Sequence, residues 1–199
     1  MGRLTSAHAR EFRDIRRVCS RGLGSAALRE QVGDRLLRHL GASSYCFGAT
    51  DPVTALPVHS ISVGLEPAVM DAFFGLVMTT PSIDFATWID RPQRVCTLEQ
   101  IVDDLDEDPY MNEILQPSGL RHEVQMACVS AGWSWGHLCI RRRRGDKPFE
   151  GHELRFLDAI APHVTAALRA AARPAGAVVD AVERATSTGV VVLAPGGTV

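Results

Sequence analysis

The first forty residues carry two apolar stripes that repeat with helical spacing. Such spacing places the apolar side chains on one side of an α-helix. The sequence therefore predicts two amphipathic helices, the second with Ser25 as its N-cap and Gly41 as a left-handed C-terminal stop. The stripes consist of Phe12, Ile15 and Cys19, followed by Leu28, Val32, Leu36 and Leu40.

From residue 44 the pattern changes to that of β-strands. Residues 44–50 and 58–63 are short runs rich in aromatic and β-branched side chains, separated by the turn signal Asp51-Pro52. Residues 121–130 and 133–142 are joined by Ala131-Gly132. Each pair predicts an antiparallel hairpin. Neither alternating face of the last strand is polar, so we expect helices to cover both faces of the sheet.

The rest of the chain is predicted to be mainly helical. Residues 68–78 are apolar nearly all round, which favours a helix that is enclosed or lines a cavity. An irregular crossover, residues 79–117, is expected to contain a short strand at 94–97 and helices near 98–105 and 109–115. A long helix over 150–172 closes the pattern, with Pro162 inside it as a predicted kink.

Composition and charge narrow the function classes. The chain of 199 residues is 46% hydrophobic and 22% charged, with a net charge of −2. This balance lacks the basic footprint of a nucleic-acid-binding domain, so DNA is expected to be contacted only through a separate C-terminal domain. No signal peptide, membrane-spanning run or CxxC pair is present, which predicts a cytoplasmic protein with no membrane partner and five reduced thiols.

Three stretches resemble parts of the GAF-type sensor fold. They are WGHLCIR at residues 135–141, KPFEGHEL at 147–154 and LDAIAPHVTAAL at 157–168. The first resembles the last central strand of GAF domains, and the second resembles the turn into the C-terminal helix. The third is similar to the helix that closes the sensor of many actinobacterial regulators with a C-terminal LuxR-type helix-turn-helix. Glu150 departs from the small hydroxyl N-cap of this pattern, at a cost of up to about 1 kcal/mol.

The resemblance implies a GAF-like α+β fold. It has an antiparallel central sheet with helices on both faces, and the N- and C-terminal helices pack together on one side. Residues 1–173 are expected to form the sensor domain. Residues 174–199 are expected to form a linker helix and the first strand of a truncated PAS-like second module.

An aromatic pocket on one face of this sheet is the predicted ligand site. A largely apolar cavity with a few polar groups is the usual form of such a site, although the same residues would also fill an ordinary core. No residue set matches the GAF domains that bind cyclic nucleotides or tetrapyrroles, so no cofactor is expected and the ligand is an unknown small molecule. The predicted ligand-binding residues are Phe73, Phe74, Val77, Phe85, Trp88, Trp133, Trp135, His137 and His59.

Two charged runs have simpler interpretations. The acidic run at residues 103–108 is expected to be a solvated loop, because Pro109 and Leu115 stand where a calcium loop needs glycine and glutamate. The arginines at 141–144 are expected to be a charged strand end that guards the sheet edge, rather than a grip for phosphate or an acidic partner. No metal site is predicted, since no histidine or cysteine pair has ligand spacing.

Three functions stay open at this point. The leading one is a small-molecule or signal-sensing domain of a transcription regulator, homodimeric through its terminal helices and not an enzyme. In it, ligand binding shifts the enclosed helix and the shift passes to the long helix at Pro162. The second is a cysteine-dependent redox enzyme like the free methionine-sulfoxide reductases, with Cys128 and Cys139 facing each other on neighbouring strands. The third is a ligand-free dimerisation module.

Overall fold

The computed structural model describes residues 4–77 and 79–172, with the main chain only for residues 81, 85 and 86. The linker helix and strand predicted within residues 174–199 lie outside the described residues. The helices are α1 (Ser6–Cys19), α2 (Ser25–His39), α3 (Pro67–Leu76) and α4 (Gly151–Ala171). The strands are β1 (Ser44–Thr50), β2 (Pro57–Val63), β3 (Val95–Thr97), β4 (Leu120–Ser130) and β5 (Trp133–Arg143).

The five strands form one antiparallel sheet in the order β2-β1-β5-β4-β3. Both predicted hairpins are confirmed, β1 with β2 and β4 with β5. The second hairpin turns at Ala131 and Gly132, whose φ angles of 52° and 76° are the positive values that the tightest hairpin turns require. The predicted crossover connects α3 to β4 and contributes β3 to one sheet edge.

Helices α1, α2 and α4 cover one face of the sheet, as predicted for the terminal helices. Their apolar stripes share a core with Val124 and Met126 of β4 and with Leu138 and Ile140 of β5. Gly136 of β5 has neighbours on two sides, β1 beside it in the sheet and α4 above it, and both approach too closely to leave room for a side chain. A Cβ atom there would lie 2.6 Å from the Gly48 carbonyl oxygen and 3.3 Å from the Leu168 side chain.

The helix ends differ in part from the prediction. Gly24 rather than Ser25 is the N-cap of α2, and the Ser25 hydroxyl instead accepts a hydrogen bond from Arg29 Nε at 3.3 Å. Gly41 follows α2 with φ 58°, as predicted. At the start of α4, the Glu153 carboxylate accepts a hydrogen bond from the Glu150 amide at 2.8 Å. This contact satisfies the Glu150 amide at a helix start that lacks a hydroxyl cap.

The other face of the sheet is covered by α3 and the crossover. The prediction of an enclosed α3 is wrong: Phe73 is its one buried residue, and Phe74 is 39% exposed. An all-round apolar composition does not decide burial when only one side of a helix meets the core. The helices predicted near 98–105 and 109–115 are single turns, a 3₁₀ turn at Leu98–Gln100 and a π-helical turn at Met111–Leu115.

Candidate functional site

A buried ion pair lies between the sheet and the crossover. Arg141 of β5 donates from Nε to Glu123 Oε2 of β4 at 2.6 Å, and the two side chains are 1% and 0% exposed. Tyr110 of the crossover donates its hydroxyl to the same Oε2 at 2.5 Å and accepts from Arg141 Nε at 2.9 Å. The prediction that both faces of the sheet are apolar is therefore wrong for this face.

The polar chain continues from Glu123 along the sheet. Gln125 donates from Nε2 to Glu123 Oε1 at 2.7 Å and to the Ser82 carbonyl at 3.2 Å. Its Oε1 lies 3.1 Å from His137 Nε2. Because an amide oxygen only accepts, His137 carries its proton on Nε2. The His137 ring in turn meets the Trp88 ring edge-to-face, with centroids 5.1 Å apart.

Burial and charge set the protonation of this network. Burial, together with the guanidinium groups of Arg141 and Arg91, lowers the pKa of His137 to about 3, so this ring is neutral. Burial is also the main cause that raises the pKa of Tyr110 well above its usual value. Burial alone would lower the pKa of Arg141, but Tyr110 and Glu123 hold it above its ordinary value. Arg141 is therefore the positive end of the network.

The network has more donors than acceptors. Both oxygens of Glu123 are occupied, whereas Arg141 Nη1 and Trp88 Nε1 are buried without a hydrogen-bond partner among the described residues. Ser82 Oγ is also buried without a hydrogen-bond partner among these residues. A buried donor left unpaired costs about 1–3 kcal/mol. A group that brought hydrogen-bond acceptors to these atoms would remove that cost.

The structure brings together only part of the predicted pocket. Trp88 and His137 belong to the polar network, and Phe73 packs against Tyr110 with ring centroids 5.7 Å apart. Val77 is buried in the same cluster as Phe73. These four residues line the crossover side of the sheet.

The other predicted residues stand elsewhere. Phe74 points out of the core, and Trp133 is 44% exposed at the β4–β5 turn. Trp135 packs against the core on the helix side and donates from Nε1 to Ser130 Oγ at 3.1 Å. His59 is exposed on β2, with Nδ1 3.0 Å from Arg29 Nη2. The side chain of Phe85 lies outside the described residues.

Sequence reasoning missed the residues that make the network. Tyr110, Glu123, Gln125 and Arg141 were not among the predicted site residues. A signal was present in β4, where Glu123 and Gln125 alternate with apolar Val124 and Met126. Two polar residues on one face of a strand that is otherwise apolar indicate a buried polar partner on the neighbouring element. Arg141 was hidden within a run of four arginines.

That arginine run is not a charged strand end. Arg142 points to the helix side of the sheet, where its Nη2 donates to Glu153 Oε1 of α4 at 2.7 Å and also to the Leu40 carbonyl. Its guanidinium carbon lies 4.2 Å from the Phe149 ring centroid. Arg141 and Arg142 are thus buried on opposite faces, while Arg143 and Arg144 are exposed. Arg141 and Arg142 can be buried in β5 because each guanidinium group is paired with a carboxylate.

Cys128 and Cys139 do not form a pair of facing thiols. Cys128 lies opposite Gly136 and belongs to the helix-side core, whereas Cys139 lies opposite Gln125 and faces the crossover. The prediction that they face each other is wrong, because a register offset of three residues puts them on opposite sides of the sheet. Burial raises the pKa of Cys128 to about 12 and that of Cys139 well above its usual value.

Other surfaces make weaker candidates. An open groove of about 440 Å³ between α4 and the end of β4 includes Pro162. None of the described side chains lining it has a buried polar atom without a partner.

Among residues 4–77 and 79–172, no group of three or more histidine, cysteine or acidic side chains is placed to hold a metal ion. No helix of the described residues has the length and apolar character needed to cross a membrane.

Comparison with known proteins identifies the fold. No protein-family model matches the sequence, and no curated protein matches it significantly. The GAF domain of a phosphoenolpyruvate-protein phosphotransferase from Coxiella burnetii superposes with a TM-score of 0.60 at 15% identity, covering 89% of this chain and 99% of that one. An N-acylhomoserine lactone-dependent LuxR-family transcription factor from Burkholderia cenocepacia gives 0.56 at 16% identity, covering 85% and 98%.

An enzyme shares the same architecture. A free methionine-R-sulfoxide reductase from Neisseria meningitidis superposes with a TM-score of 0.55 at 14% identity, covering 86% of this chain and 95% of that one. At identities this low, the likeness shows the fold alone. The chain has a GAF-like α+β fold, which confirms the predicted fold class.

Proposed function

We propose that this chain is a signal-sensing regulatory domain that binds a small molecule between its sheet and its crossover. The observation that supports this proposal best is a pair of buried donors, Arg141 Nη1 and Trp88 Nε1, which have no hydrogen-bond partner within residues 4–77 and 79–172. The oxygens of the neighbouring Glu123 carboxylate are already occupied. Natural interiors rarely leave such groups unpaired, so each one calls for an explanation. A bound acceptor is the explanation we adopt.

The chemistry of the face indicates the kind of ligand. An unpaired guanidinium N–H and an indole N–H both favour a carbonyl, carboxylate or similar oxygen-bearing group. The apolar side chains of Phe73 and Val77 border the same face and suit a short apolar portion of the ligand. The crossover that covers this face consists mainly of single turns and loops. Such segments open locally at a lower free energy than packed long helices do.

The signal would cross the sheet through β5. Arg141 lies in the proposed site, and the adjacent Arg142 holds Glu153 at the start of α4. This route replaces the predicted one from α3 to Pro162, since α3 and α4 lie on opposite faces of the sheet. A ligand that prefers one position of β5 would then shift α4 between two states.

The wider setting is also part of this proposal. The likeness to a lactone-dependent LuxR-family transcription factor supports a role in transcription regulation. We place the domain in the cytoplasm as a homodimer through α1 and α4, with DNA contacted by a separate C-terminal domain. It acts by binding rather than catalysis, and the raised pKa of Cys128 and Cys139 disfavours the thiol-based alternative.

A ligand screen with matched tryptophan variants tests this proposal. Thermal shifts are measured for wild type, Trp88→Phe and Trp133→Phe against small carboxylates, lactones and amides. The expected result is a compound that raises the melting temperature of wild type and of Trp133→Phe but not of Trp88→Phe. Equal stabilisation of all three proteins would place the binding elsewhere. The absence of any stabilising compound would favour the ligand-free dimerisation module.

A further inference from the structure

Three histidines from three helices meet on the helix side of the sheet. His8 lies near the start of α1, His39 is the last residue of α2, and His152 lies in the first turn of α4. The ring centroids of His8 and His39 are 5.0 Å apart, and those of His8 and His152 are 5.1 Å apart. No spacing in the sequence links them, and only the packing of the helices brings them together.

One hydrogen bond joins the first two rings. His8 Nδ1 lies 2.7 Å from His39 Nε2, so one nitrogen must donate and the other must accept. If both rings were protonated, both nitrogens would be donors and the bond would be lost. His8 Nε2 is buried with no hydrogen-bond partner among the described residues, and the ring stacks on Phe156 with centroids 4.7 Å apart. A proton added to His8 Nε2 would therefore find no acceptor among the described residues.

The surrounding carboxylates are mostly committed to arginines. Glu11 of α1 accepts from Arg35 of α2 at 2.7 Å. Glu153 of α4 pairs with Arg142 of β5 at 2.7 Å. Glu150 lies 3.3 Å from His152 Nδ1 but is largely exposed, so its charge is screened. These acidic and basic groups face the cluster from α1, α2, α4 and β5. Glu153, the carboxylate that acts on His8, is already paired with Arg142.

The pKa directions agree with this geometry. Burial first, then the nearby rings of His39 and His152, lowers the pKa of His8, and Glu153 opposes this only in part. Burial also lowers the pKa of His39, against a raising effect of Glu11 and Glu153. When α1 detaches, these rings return toward the ordinary value of about 6.5.

We propose that the His8–His39–His152 cluster is a pH-sensitive latch that holds the amino-terminal end of α1 against α2 and α4. Neutral rings close the latch, and proton uptake by both members of the hydrogen-bonded pair opens it. The released state binds more protons, so docking of α1 is complete above about pH 6.5 and weakens as the pH falls below that value. Because α1 and α4 form the terminal-helix surface, the latch would add an acid-responsive input that is separate from the ligand site.

Hydrogen exchange of α1 amides tests the latch in the full chain. Protection factors are measured at about pH 7.5 and about pH 5.5, on either side of the ordinary histidine value. The proteins are wild type, His39→Gln and the control His122→Gln. Glutamine keeps a donor and an acceptor for His8 but does not titrate, and His122 lies on β4, outside the cluster.

The expected result is a fall in α1 protection at the lower pH of up to about tenfold for each histidine that takes up a proton on release, because about pH 5.5 lies about one unit below the ordinary value. The fall persists in His122→Gln and is at least halved in His39→Gln. Equal α1 protection of wild type at the two pH values would overturn the proposal, and so would an undiminished fall in His39→Gln. If His39→Gln does not fold, the imidazole carbon resonances of wild type decide. His8 and His39 must then titrate below the ordinary histidine range, and ordinary values refute the latch.

Discussion

Arg141 and Arg142 are consecutive residues of β5, and each forms a buried ion pair on a different side of the sheet. Arg141 bonds to Glu123 at 2.6 Å beneath the crossover, and Arg142 bonds to Glu153 at 2.7 Å at the start of α4. Alternation of side chains along a strand makes this possible. One peptide unit therefore connects the proposed ligand site to the longest helix of the described chain.

Removing the acidic partner beneath the crossover is expected to be costly. Glu123→Gln leaves Arg141 as a buried charge without a counter-charge, which destabilises a protein by about 3–5 kcal/mol. Tyr110→Phe keeps the ion pair and removes one hydroxyl, for which we expect about 1–3 kcal/mol. Urea denaturation of both variants checks this order. Equal losses would mean that the ion pair does not dominate the network.

The ion pair at the start of α4 is expected to show a pH signature. Burial alone would raise the pKa of Glu153, but hydrogen bonds from Arg142 and the Glu150 amide lower it from its ordinary value. The contribution of Glu153 to the free energy of unfolding is therefore present above its pKa in the unfolded chain. This contribution is lost as the pH falls through its lower pKa in the folded protein.

The corresponding variant is Glu153→Gln. Its deficit in unfolding free energy, about 2 kcal/mol at neutral pH, is expected to shrink in acid below the ordinary glutamate value. The exposed Glu150 provides the matched control Glu150→Gln, with a change expected to stay within about 0.5 kcal/mol. Denaturation of each variant and wild type at neutral and acidic pH measures both effects. A deficit that is constant with pH would contradict the assignment.

The glycine of the WGHLCIR stretch has a steric role that can be measured. Gly136→Ala places a methyl group 2.6 Å from the Gly48 carbonyl oxygen, and backbone cannot yield as a flexible side chain would. We expect a loss of about 1–3 kcal/mol in thermal or urea unfolding. Gly145→Ala is the control, since a Cβ atom there has no neighbour within 4 Å. A neutral Gly136→Ala would refute the close approach of β1 and α4 to β5.

The thiols are expected to be unreactive in the folded protein. Burial raises the pKa of Cys128 to about 12 and that of Cys19 to about 11. Alkylation by iodoacetamide at mildly alkaline pH should therefore be at least about 100-fold slower in native protein than in urea. Peptide mapping identifies the modified residues. Rapid labelling of Cys128 or Cys139 in the native state would revive the redox-enzyme alternative.

The strand pattern and helix stripes predicted the architecture because the repeat of apolar side chains in a helix or strand can be read from nearby residues in the sequence. The two hairpins, the terminal helices and the fold class all follow from them. The prediction failed where burial depends on a distant partner. Arg141 and Arg142 look like a surface run until Glu123 and Glu153 are placed opposite them. Likewise, α3 looks like a core helix until the crossover is seen to meet only its Phe73 side.

The buried polar network was only partly predicted, for the same reason. Trp88 and His137 were identified from their aromatic character, but the network that joins them depends on Tyr110 and Gln125. Tyr110 lies in the crossover and Gln125 in β4, and no sequence pattern indicates that the two side chains belong to one network. Trp133 and Trp135 were misplaced because a register irregularity near Cys128 and Val129 disturbs the simple alternation at the end of the hairpin.

The most direct test of the proposed ligand site is the indole N–H resonance of Trp88 in a nitrogen–proton correlation spectrum. The chain has three tryptophans, and the signal that disappears in Trp88→Phe gives the assignment. A compound selected by thermal shift should move the Trp88 signal in the direction of a newly formed hydrogen bond and leave that of exposed Trp133 unchanged. If saturating compound shifts the Trp133 signal while the Trp88 signal stays in place, the ligand does not bind beneath the crossover.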